Sequence, residues 1–281
     1  MTTKRAYVIG HPIGHSRSPL MHGYWISEHG LDARYDKLDV PPRSIGDFFE
    51  RFRRERFIGA NVTIPHKLAV MEHVDRIEDE AMAMGAVNCL YWDGDVLVGG
   101  NTDAQGILGS LDESVPGWDA DAGQAFVYGA GGAARAAAYA FRNRGLRVAI
   151  CNRTRQKAKE LAAHLGAGVT AHGLEDLPGL LAEADVVINT TSLGMAGQPP
   201  NDLDLCALRP GAVVYDAVYT PLETDMVRKA RASGHPAVGG LGMLLNQGAE
   251  GFRRWFGILP TITSELRQIL EDDIRHLTPG A

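Results

Sequence analysis

The sequence predicts an α/β protein of two domains. Three observations carry that expectation. A length of 281 residues suits roughly two domains at about 150 residues each. The second half alternates strand-like and helix-like segments, the pattern of a parallel sheet covered on both faces. Within that half, the strand Ala125–Tyr128 runs straight into a glycine-rich turn that opens a helix. A composition of 45% apolar and 22% charged residues is that of a soluble globular chain, which can bury a core without disulfide or metal support.

The first third begins with a buried strand, Ala6–Ile9. A helix over Pro19–Glu28 follows, with Ser18 as N-cap, Pro19 at the first helical position and Gly30 as the stop. Arg34–Val40 alternates like a strand. Ser44–Arg54 has helical apolar spacing through Ile45, Phe48, Phe49 and Phe52, and Trp25, Trp255 and that phenylalanine stripe are expected in the core. Phe57–Val62 reads as a short strand, and Pro65 as the opening of another helix. Val87–Tyr91 and Val96–Val98 flank Trp92-Asp93-Gly94-Asp95, where the Asp-Gly pair marks a hairpin. A helix follows Asp103.

Ser114–Gln124 is polar, contains Gly and Pro, and reads as a surface loop near the domain border. After Ala125–Tyr128 come helix Ala133–Asn143, strand Arg147–Cys151, helix Arg155–Leu165, a strand near Val169 and a helix around Leu174–Ala182. Strands Asp185–Asn189 and Ala212–Asp216 and helix Glu223–Ala232 follow, with a Pro- and Asn-rich loop at Gly194–Asp204. Two helices, about Met243–Trp255 and Thr261–Leu277, have no strand after them. Their simplest placement is across a crevice or back on the first domain. The domains are expected at 1–103, completed by 242–281, and at 104–241.

Charge and cysteine usage narrow the function classes. With 28 Lys and Arg against 34 Asp and Glu, the formal charge is -6, which argues against a nucleic-acid partner. Cys89, Cys151 and Cys206 have no short spacing, so they form neither a disulfide framework nor a zinc site. The apolar run after the N-terminus is too brief for a signal peptide, and no run approaches the ~20 residues needed to span a bilayer. The expected compartment is the cytoplasm.

The turn Gly129-Ala130-Gly131-Gly132-Ala133-Ala134 is G-x-G-x-x-A between strand and helix, the context a dinucleotide site requires. Gly129 permits the tight turn and Gly131 lets backbone approach a pyrophosphate. Ala134 allows close helix packing, while the helix N-terminus holds the anion. An NAD site would place an acid about 20 residues on. This chain has Asn152, Arg153 and Thr154 there, with Lys157 one turn later. Arg153 can stack on adenine and pair with a 2′-phosphate, and Thr154 can donate a hydroxyl, so the reading is NADP. A solvated helix start is the alternative for Arg153 and Lys157.

Polar groups also sit at strand ends in the first domain. Ser16 and Ser18 lie beside a helix start, a place for a small carboxylate, with Ser18 equally a plain cap and Arg17 between them exposed. Thr63 could cap the next helix, with Lys67 in its first turn. A cation there opposes the macrodipole and has its pKa lowered, which suits proton transfer; an exposed surface lysine is the equal alternative. Asp103 is a natural N-cap and a carboxylate facing a cleft. Asn88, in a strand, needs a partner, and a substrate hydroxyl is one option. His11, His15, His22 and His66 have no acidic companions, so they are expected to be surface or capping residues and no metal site is expected.

Taken together, these motifs resemble the shikimate dehydrogenase family. The strings are G-H-P-I-G-H-S-R-S-P-L at the start, G-A-N-V-T-I-P-H-K, G-A-V-N at Gly85–Asn88 and N-T-D-A-Q-G at Asn101–Gly106. They continue with G-A-G-G-A-A, N-R-T, N-T-T-S-L-G-M at Asn189–Met195 and G-M-L-L-N-Q-G-A near the end. The resemblance covers nearly the whole chain, and so many strings in order are far more specific than any one.

The resemblance implies an NADPH-dependent reduction of 3-dehydroshikimate to shikimate in aromatic amino-acid biosynthesis. It implies an N-terminal substrate domain, a Rossmann-like NADP-binding domain and last helices returning to the first. It puts Ser16 and Ser18 on the substrate carboxylate, and Thr63, Lys67, Asn88 and Asp103 at the ring hydroxyls, with Tyr219 and Gln247 closing from the other domain. Gly129–Ala133 (129, 130, 131, 132 and 133) and Asn152–Lys157 would hold the cofactor. Thr190, Thr191, Ser192 and Leu193, with Ala217 and Gly240, would lie near its ribose and nicotinamide. Lys67 would give the proton and Asp103 orient it; a lysine kept charged by that aspartate would act electrostatically instead.

The partners expected are the small-molecule substrate, no nucleic acid and no membrane, with a homodimer left open. Three positions depart from the family: His11 stands where Asn is common, Gly23 where Asn is usual, and Ala217 where a larger apolar residue such as Met is frequent. The nearest rival is a quinate or quinate/shikimate dehydrogenase, which shares the Lys–Asp pair. A methylene-tetrahydrofolate dehydrogenase-like enzyme is more distant, because the Ser16/Ser18 pair argues against a pterin. A non-catalytic dinucleotide sensor is opposed by intact Lys67, Asp103, Asn88 and Gln247.

Overall fold

Two six-stranded sheets carry the chain, one in each of two compact units; the computed structural model describes residues 3–277. One unit runs to Thr102 and takes in Gln247–Leu270; the other takes Asp103–Asn246 and the residues from Glu271 on. In chain order the strands are β1 (Lys4–Gly10), β2 (Ala33–Asp39), β3 (Gly59–Val62), β4 (Arg76–Ile77), β5 (Cys89–Asp93), β6 (Val96–Gly100), β7 (Gln124–Tyr128), β8 (Arg147–Cys151), β9 (Val169–His172), β10 (Val186–Asn189), β11 (Val213–Asp216) and β12 (Ala237–Gly239). The helices are α1 (Ser18–Glu28), α2 (Ile45–Glu55), α3 (Asp79–Met84), α4 (Asp103–Ser114), α5 (Gly132–Asn143), α6 (Arg155–Leu165), α7 (Leu177–Glu183), α8 (Asp225–Ala232), α9 (Leu241–Phe256) and α10 (Ser264–Leu277).

The first sheet has the order β2-β1-β3-β5-β6-β4. β1 pairs in parallel with β2 and β3, and the β5–β6 hairpin joins β3 through an antiparallel pairing of β5. Phe48, Phe49 and Phe52 of α2 are buried, packing with Tyr7 and Ile9 of β1 and Ala60 and Val62 of β3. Each such ring contributes about 1.5–3 kcal/mol by leaving water. On α1 the spacing of Ser18, Met21, His22, Trp25 and Ile26 puts all five on one buried face. Trp25 meets Phe252 of α9 edge-on at 5.6 Å. A Cβ at Gly248 would stand 2.1 Å from the Met21 methyl, so Gly there leaves room for the Met21 side chain as α9 packs on α1.

The second sheet has the order β12-β11-β10-β7-β8-β9, and every pair in it is parallel. Its strand order reverses between β7 and β10, where ligands bind beyond the carboxyl ends of the strands. Ala134, Ala136, Ala137, Ala138 and Ala140 are buried on α5, and small side chains there let the helix lie close to the sheet. Phe126, Val187 and Val214 lie in a core cluster with Leu180 and Leu181 of α7.

Several expectations are corrected by the structure. Pro65 opens no α-helix: a 3-10 turn at Ala69–Glu72 comes instead, and Lys67 precedes it. The segment is instead tied to the chain ahead of β5, where Lys67 C=O accepts from Val87 N–H at 2.8 Å. The macrodipole argument for Lys67 therefore does not apply. Ser18 is the first residue of α1 rather than its cap; Arg17 holds the cap position and makes no side-chain capping bond. Arg17 is half-buried, not exposed. Asp103 is likewise the first residue of its helix rather than the one before it. Trp92 and Asp93 belong to β5, so the turn shortens to Gly94-Asp95, with Gly94 at φ +61°. The segment after β9 divides into a 3-10 turn, Leu174–Asp176, and α7. Two short strands, β4 and β12, and the helix α3 were not anticipated.

Candidate functional site

In the first unit the polar residues at strand ends form two groups. Ser16 and Ser18 are both buried, with relative exposures of 6% and 7%. Ser16 Oγ accepts from Ser18 N–H at 3.3 Å, and the two hydroxyls lie 3.3 Å apart. Ser16 thus does the capping work that the sequence assigns to Ser18, and two hydroxyls stand together at the start of α1. The loop before them is tied down by Asp39, which accepts from Ile13 N–H at 3.2 Å and meets His11 Nδ1 at 2.9 Å.

The second group centres on Asn88, which lies just ahead of β5 and is 1% exposed. Its Oδ1 accepts from Thr102 N–H at 2.8 Å. Its Nδ2 donates to Thr102 Oγ1 at 3.1 Å and to Gln247 Oε1 at 3.0 Å. Asn88 therefore has partners within the protein, and a substrate hydroxyl is not needed to satisfy it. Gln247, expected to close from the other domain, belongs to the first unit and reaches Asn88 there. Lys67 is half-buried, and its carbonyl bond to Val87 fixes its backbone one residue from Asn88. Thr63, half-buried, directly follows β3, its N–H bonded to Ile9 C=O at 2.9 Å. Asp103 directly follows Thr102, is fully buried and opens the second unit.

Two of the four histidines are not surface residues. His66 is buried and its Nε2 meets Val40 C=O at 2.6 Å. His22 is fully buried against Tyr35 at 4.1 Å, and burial pushes its imidazole down to about 3. Among the described residues no group of three or more His, Cys, Asp or Glu could hold a metal ion.

In the second unit the glycine turn sits at the switch point between β7 and β10. Gly129 has φ +118°, and a Cβ there would stand 2.6 Å from Thr190 Oγ1. Thr190 in turn bonds Tyr128 C=O through both its N–H, at 2.9 Å, and its hydroxyl, at 2.7 Å. Gly131 holds the N-cap position of α5 with no side-chain cap, and a Cβ there would meet nothing within 4 Å. The space over Gly131 is thus open, and the helix-start N–H groups are left for a bound anion. Gly132 and Ala133 are the next two residues, half-buried, and Ala130 is half-buried in the turn.

At the end of β8, Asn152 is half-buried and its Nδ2 donates to Thr154 C=O at 2.9 Å, which shapes the loop. Arg153, Thr154 and Lys157 are exposed, and no carboxylate stands among them. An open glycine cradle with two exposed cations where an NAD site carries an acid fits a phosphorylated dinucleotide.

One network, unread in the sequence, holds the remaining cofactor loops. Asn189 and Asp216 end β10 and β11 and are fully buried. Asp216 accepts from Asn189 Nδ2 at 2.8 Å, Val218 N–H at 3.1 Å and Thr224 Oγ1 at 2.6 Å. Asn189 Oδ1 accepts from Thr191 N–H at 3.0 Å and from its hydroxyl at 2.7 Å. Leu193 N–H then bonds Thr191 Oγ1 at 3.1 Å, so Thr190, Thr191, Ser192 and Leu193 form one braced turn, with Ser192 exposed. Burial raises the Asp216 carboxyl above its ordinary value, against the pull of its three donors. Ala217 N–H bonds Asn189 C=O at 2.9 Å, and a Cβ at Gly240 would stand 2.2 Å from Ala217 O, so Gly is required there. Tyr219 is half-buried two residues on. An acid closing a buried strand was the available signal for Asp216.

Comparison with known proteins gives the same reading. The profile of the shikimate dehydrogenase substrate binding domain matches residues 8–90. That of shikimate / quinate 5-dehydrogenase matches 113–195, and that of the shikimate 5′-dehydrogenase C-terminal domain matches 240–261. A shikimate dehydrogenase (NADP(+)) of Azorhizobium caulinodans is 48% identical over 272 residues, 96% of this chain and 97% of its own. The chain belongs to the shikimate dehydrogenase family.

Among solved members of the family, shikimate 5-dehydrogenase from Thermus thermophilus, in complex with NADP(H) and shikimate, is 37% identical. It has a TM-score of 0.84, with 97% of this chain and 99% of that one covered. A quinate dehydrogenase from Corynebacterium glutamicum in complex with NAD is 27% identical with a TM-score of 0.86, covering 96% and 99%. No helix among the described residues is long and apolar enough to cross a membrane.

Proposed function

We propose that this chain interconverts 3-dehydroshikimate and shikimate with NADP, as an oxidoreductase of aromatic amino-acid biosynthesis. The observation that carries the reading most directly is the Asn88–Thr102–Gln247 cluster, polar side chains in fixed geometry in the unit that carries the match to the family's substrate binding domain.

Ser16 and Ser18 take the ring carboxylate, as two hydroxyls at a helix start suit an anion. Thr63 and Asn88 meet the ring hydroxyls, Asn88 by turning to the substrate the Nδ2–H that it gives Gln247 Oε1 in the free protein, with Tyr219 and Gln247 completing the contacts. Gly129–Ala133 and Asn152–Lys157 hold the dinucleotide, with Arg153 and Lys157 on the 2′-phosphate. Thr190–Leu193, Ala217 and Gly240 line its ribose and nicotinamide end. NADPH, when bound, supplies the hydride. Reduction of the carbonyl places negative charge on its oxygen, and Lys67 Nζ donates the proton there. Asp103 is assigned the orienting carboxylate by the family pattern. The substrate domain is taken as 1–103 with 242–281 and the dinucleotide domain as 104–241, whereas the two compact units divide at Thr102/Asp103, Asn246/Gln247 and Leu270/Glu271. The three cysteines are free thiols, as suits a cytoplasmic enzyme.

The deciding experiment follows the absorbance of the reduced nicotinamide with shikimate and quinate, each against NADP and NAD. Turnover greatest with shikimate and NADP is expected. A preference for quinate and NAD would move the chain to the quinate branch. Tight NADPH binding without turnover on either acid would make it a sensor.

A further inference from the structure

The two arms of the proposed substrate site are joined by a residue that belongs to neither. Tyr35 lies on β2, and its side chain meets α1, which begins at Ser18, and β3, which runs into Thr63. Its side chain is buried, with 5% exposure. Its hydroxyl donates to Asn61 Oδ1 at 2.6 Å, a short bond for a neutral pair. Asn61 is two residues before Thr63 on β3. Burial pushes the Tyr35 phenol well above its usual value, and the Ser18 hydroxyl opposes that shift.

The ring of Tyr35 is held as firmly as its hydroxyl. His22, one turn after Ser18 on α1, stacks on it with centroids 4.1 Å apart and planes 22° apart. Trp255 of α9 packs against both rings, its centroid 5.7 Å from Tyr35 and 5.2 Å from His22. Neither ring nitrogen of His22 makes a hydrogen bond of ordinary length and angle, so the imidazole serves here as a flat spacer. Asn61 is also boxed in by α9, since a Cβ at Gly251 would stand 3.4 Å from Asn61 Nδ2. Gly251 lies one turn after Gln247, on the same face of the helix.

We propose that Tyr35 is a positioning residue: its hydroxyl, through Asn61, fixes the spacing between the Ser16/Ser18 pair and the Thr63–Lys67 turn. The ligand this serves is rigid, with a carboxylate at one end of a ring and hydroxyls at the other. Such a ligand satisfies both arms only when their separation is set beforehand. The inference rests on the proposed function, because it concerns the fit of that substrate.

The test uses Tyr35→Phe, which deletes one oxygen and keeps the ring stack, in the intact protein. The expected result is a KM for shikimate raised about tenfold, the scale of one lost buried hydrogen bond. The kcat should stay within about twofold and the KM for NADP should not move, since chemistry and cofactor are untouched. A purely structural role would lower the melting temperature and leave the shikimate KM as in wild type, and that outcome overturns the proposal. Asn61→Ala and the double variant complete a cycle. Action through Asn61 predicts that the double variant is no worse than Asn61→Ala alone, and full additivity also overturns it. Should Asn61→Ala not fold, the KM split of Tyr35→Phe decides by itself. Wild-type turnover on shikimate is measured alongside, and its absence would sink the proposed function rather than the role of Tyr35.

Discussion

Asn88 Nδ2 donates to Gln247 Oε1 at 3.0 Å, joining residues 159 positions apart within one unit. The bond ties the segment ahead of β5 to α9. The two ends of the pair are not equivalent. Asn88 also satisfies the buried N–H of Thr102, whereas Gln247 is half-buried and its acceptor is used by Asn88. Gln247→Ala is therefore expected to raise the shikimate KM about tenfold with little change in melting temperature. Asn88→Ala should do both, costing about 1–3 kcal/mol for the orphaned Thr102 amide. Steady-state kinetics and thermal unfolding of the two variants separate the cases. Equal loss of stability in both would show that Gln247 is structural.

Lys67 is assigned proton transfer, and its backbone is held by the Val87 amide rather than by a helix. Removing the side chain should leave that bond intact. Lys67→Ala is expected to lower kcat by about a hundredfold or more, as for loss of a general acid, with shikimate KM nearly unchanged. Turnover equal to wild type would remove Lys67 from the mechanism.

Two glycines of one turn should respond oppositely to the same change. At Gly129 an added methyl meets φ +118° and the Thr190 hydroxyl at 2.6 Å, so Gly129→Ala should lower the melting temperature clearly. At Gly131 the methyl meets nothing within 4 Å of protein. Gly131→Ala should keep wild-type stability and raise the KM for NADP, because the methyl occupies the approach to the pyrophosphate. An unchanged NADP KM in that folded variant would place the diphosphate elsewhere.

The second unit was the more legible half of the sequence. β7, β8, α5 and α6 follow from buried runs of Val, Ile and Ala broken by turn residues, and the switch-point glycines follow from their context. In the first unit the pattern around Pro65 suggested a helix where the chain instead bonds Lys67 C=O to Val87 N–H, a partner twenty residues on in the chain. His22 looked like an ordinary surface residue because a lone histidine carries no periodic mark of burial, and all its aromatic neighbours but Trp25 come from β2 and α9. Local pattern fixes elements well and long-range pairing poorly, because the pairing energy depends on residues the window never contains. The Asn189–Asp216–Thr224 brace was missed for that reason.

That brace makes its own prediction. Asp216 acts only as an acceptor, with donors from Asn189, Val218 and Thr224. Thr224 cannot turn its hydroxyl away at no cost, since its Oγ1 also accepts from Val227 N–H at 3.3 Å. Asp216→Asn sets an amide N–H against a donor and should cost about 1–3 kcal/mol. It should also loosen the turn through Thr190–Leu193 and raise the NADP KM. A variant as stable as wild type, with wild-type NADP affinity, would show that the three donors find other acceptors.

The acid limb of stability should carry the signature of His22. Its imidazole falls from 6.5 to about 3 on folding, chiefly through burial, with the Asn61 amide opposing. A base with a depressed folded pKa stabilises the fold fully above its unfolded value, and that stability drains as pH falls toward the folded one. Between pH 6.5 and 3 the unfolded chain takes up a proton that the native state refuses. Going from about pH 6.5 to about pH 5 should therefore cost about 2 kcal/mol from this residue alone. His22→Phe removes the titration while keeping a flat ring against Tyr35. Its unfolding free energy, followed by denaturant titration across that range, should fall less steeply than that of wild type. Parallel slopes for the two proteins would mean that His22 does not stay neutral in the folded state.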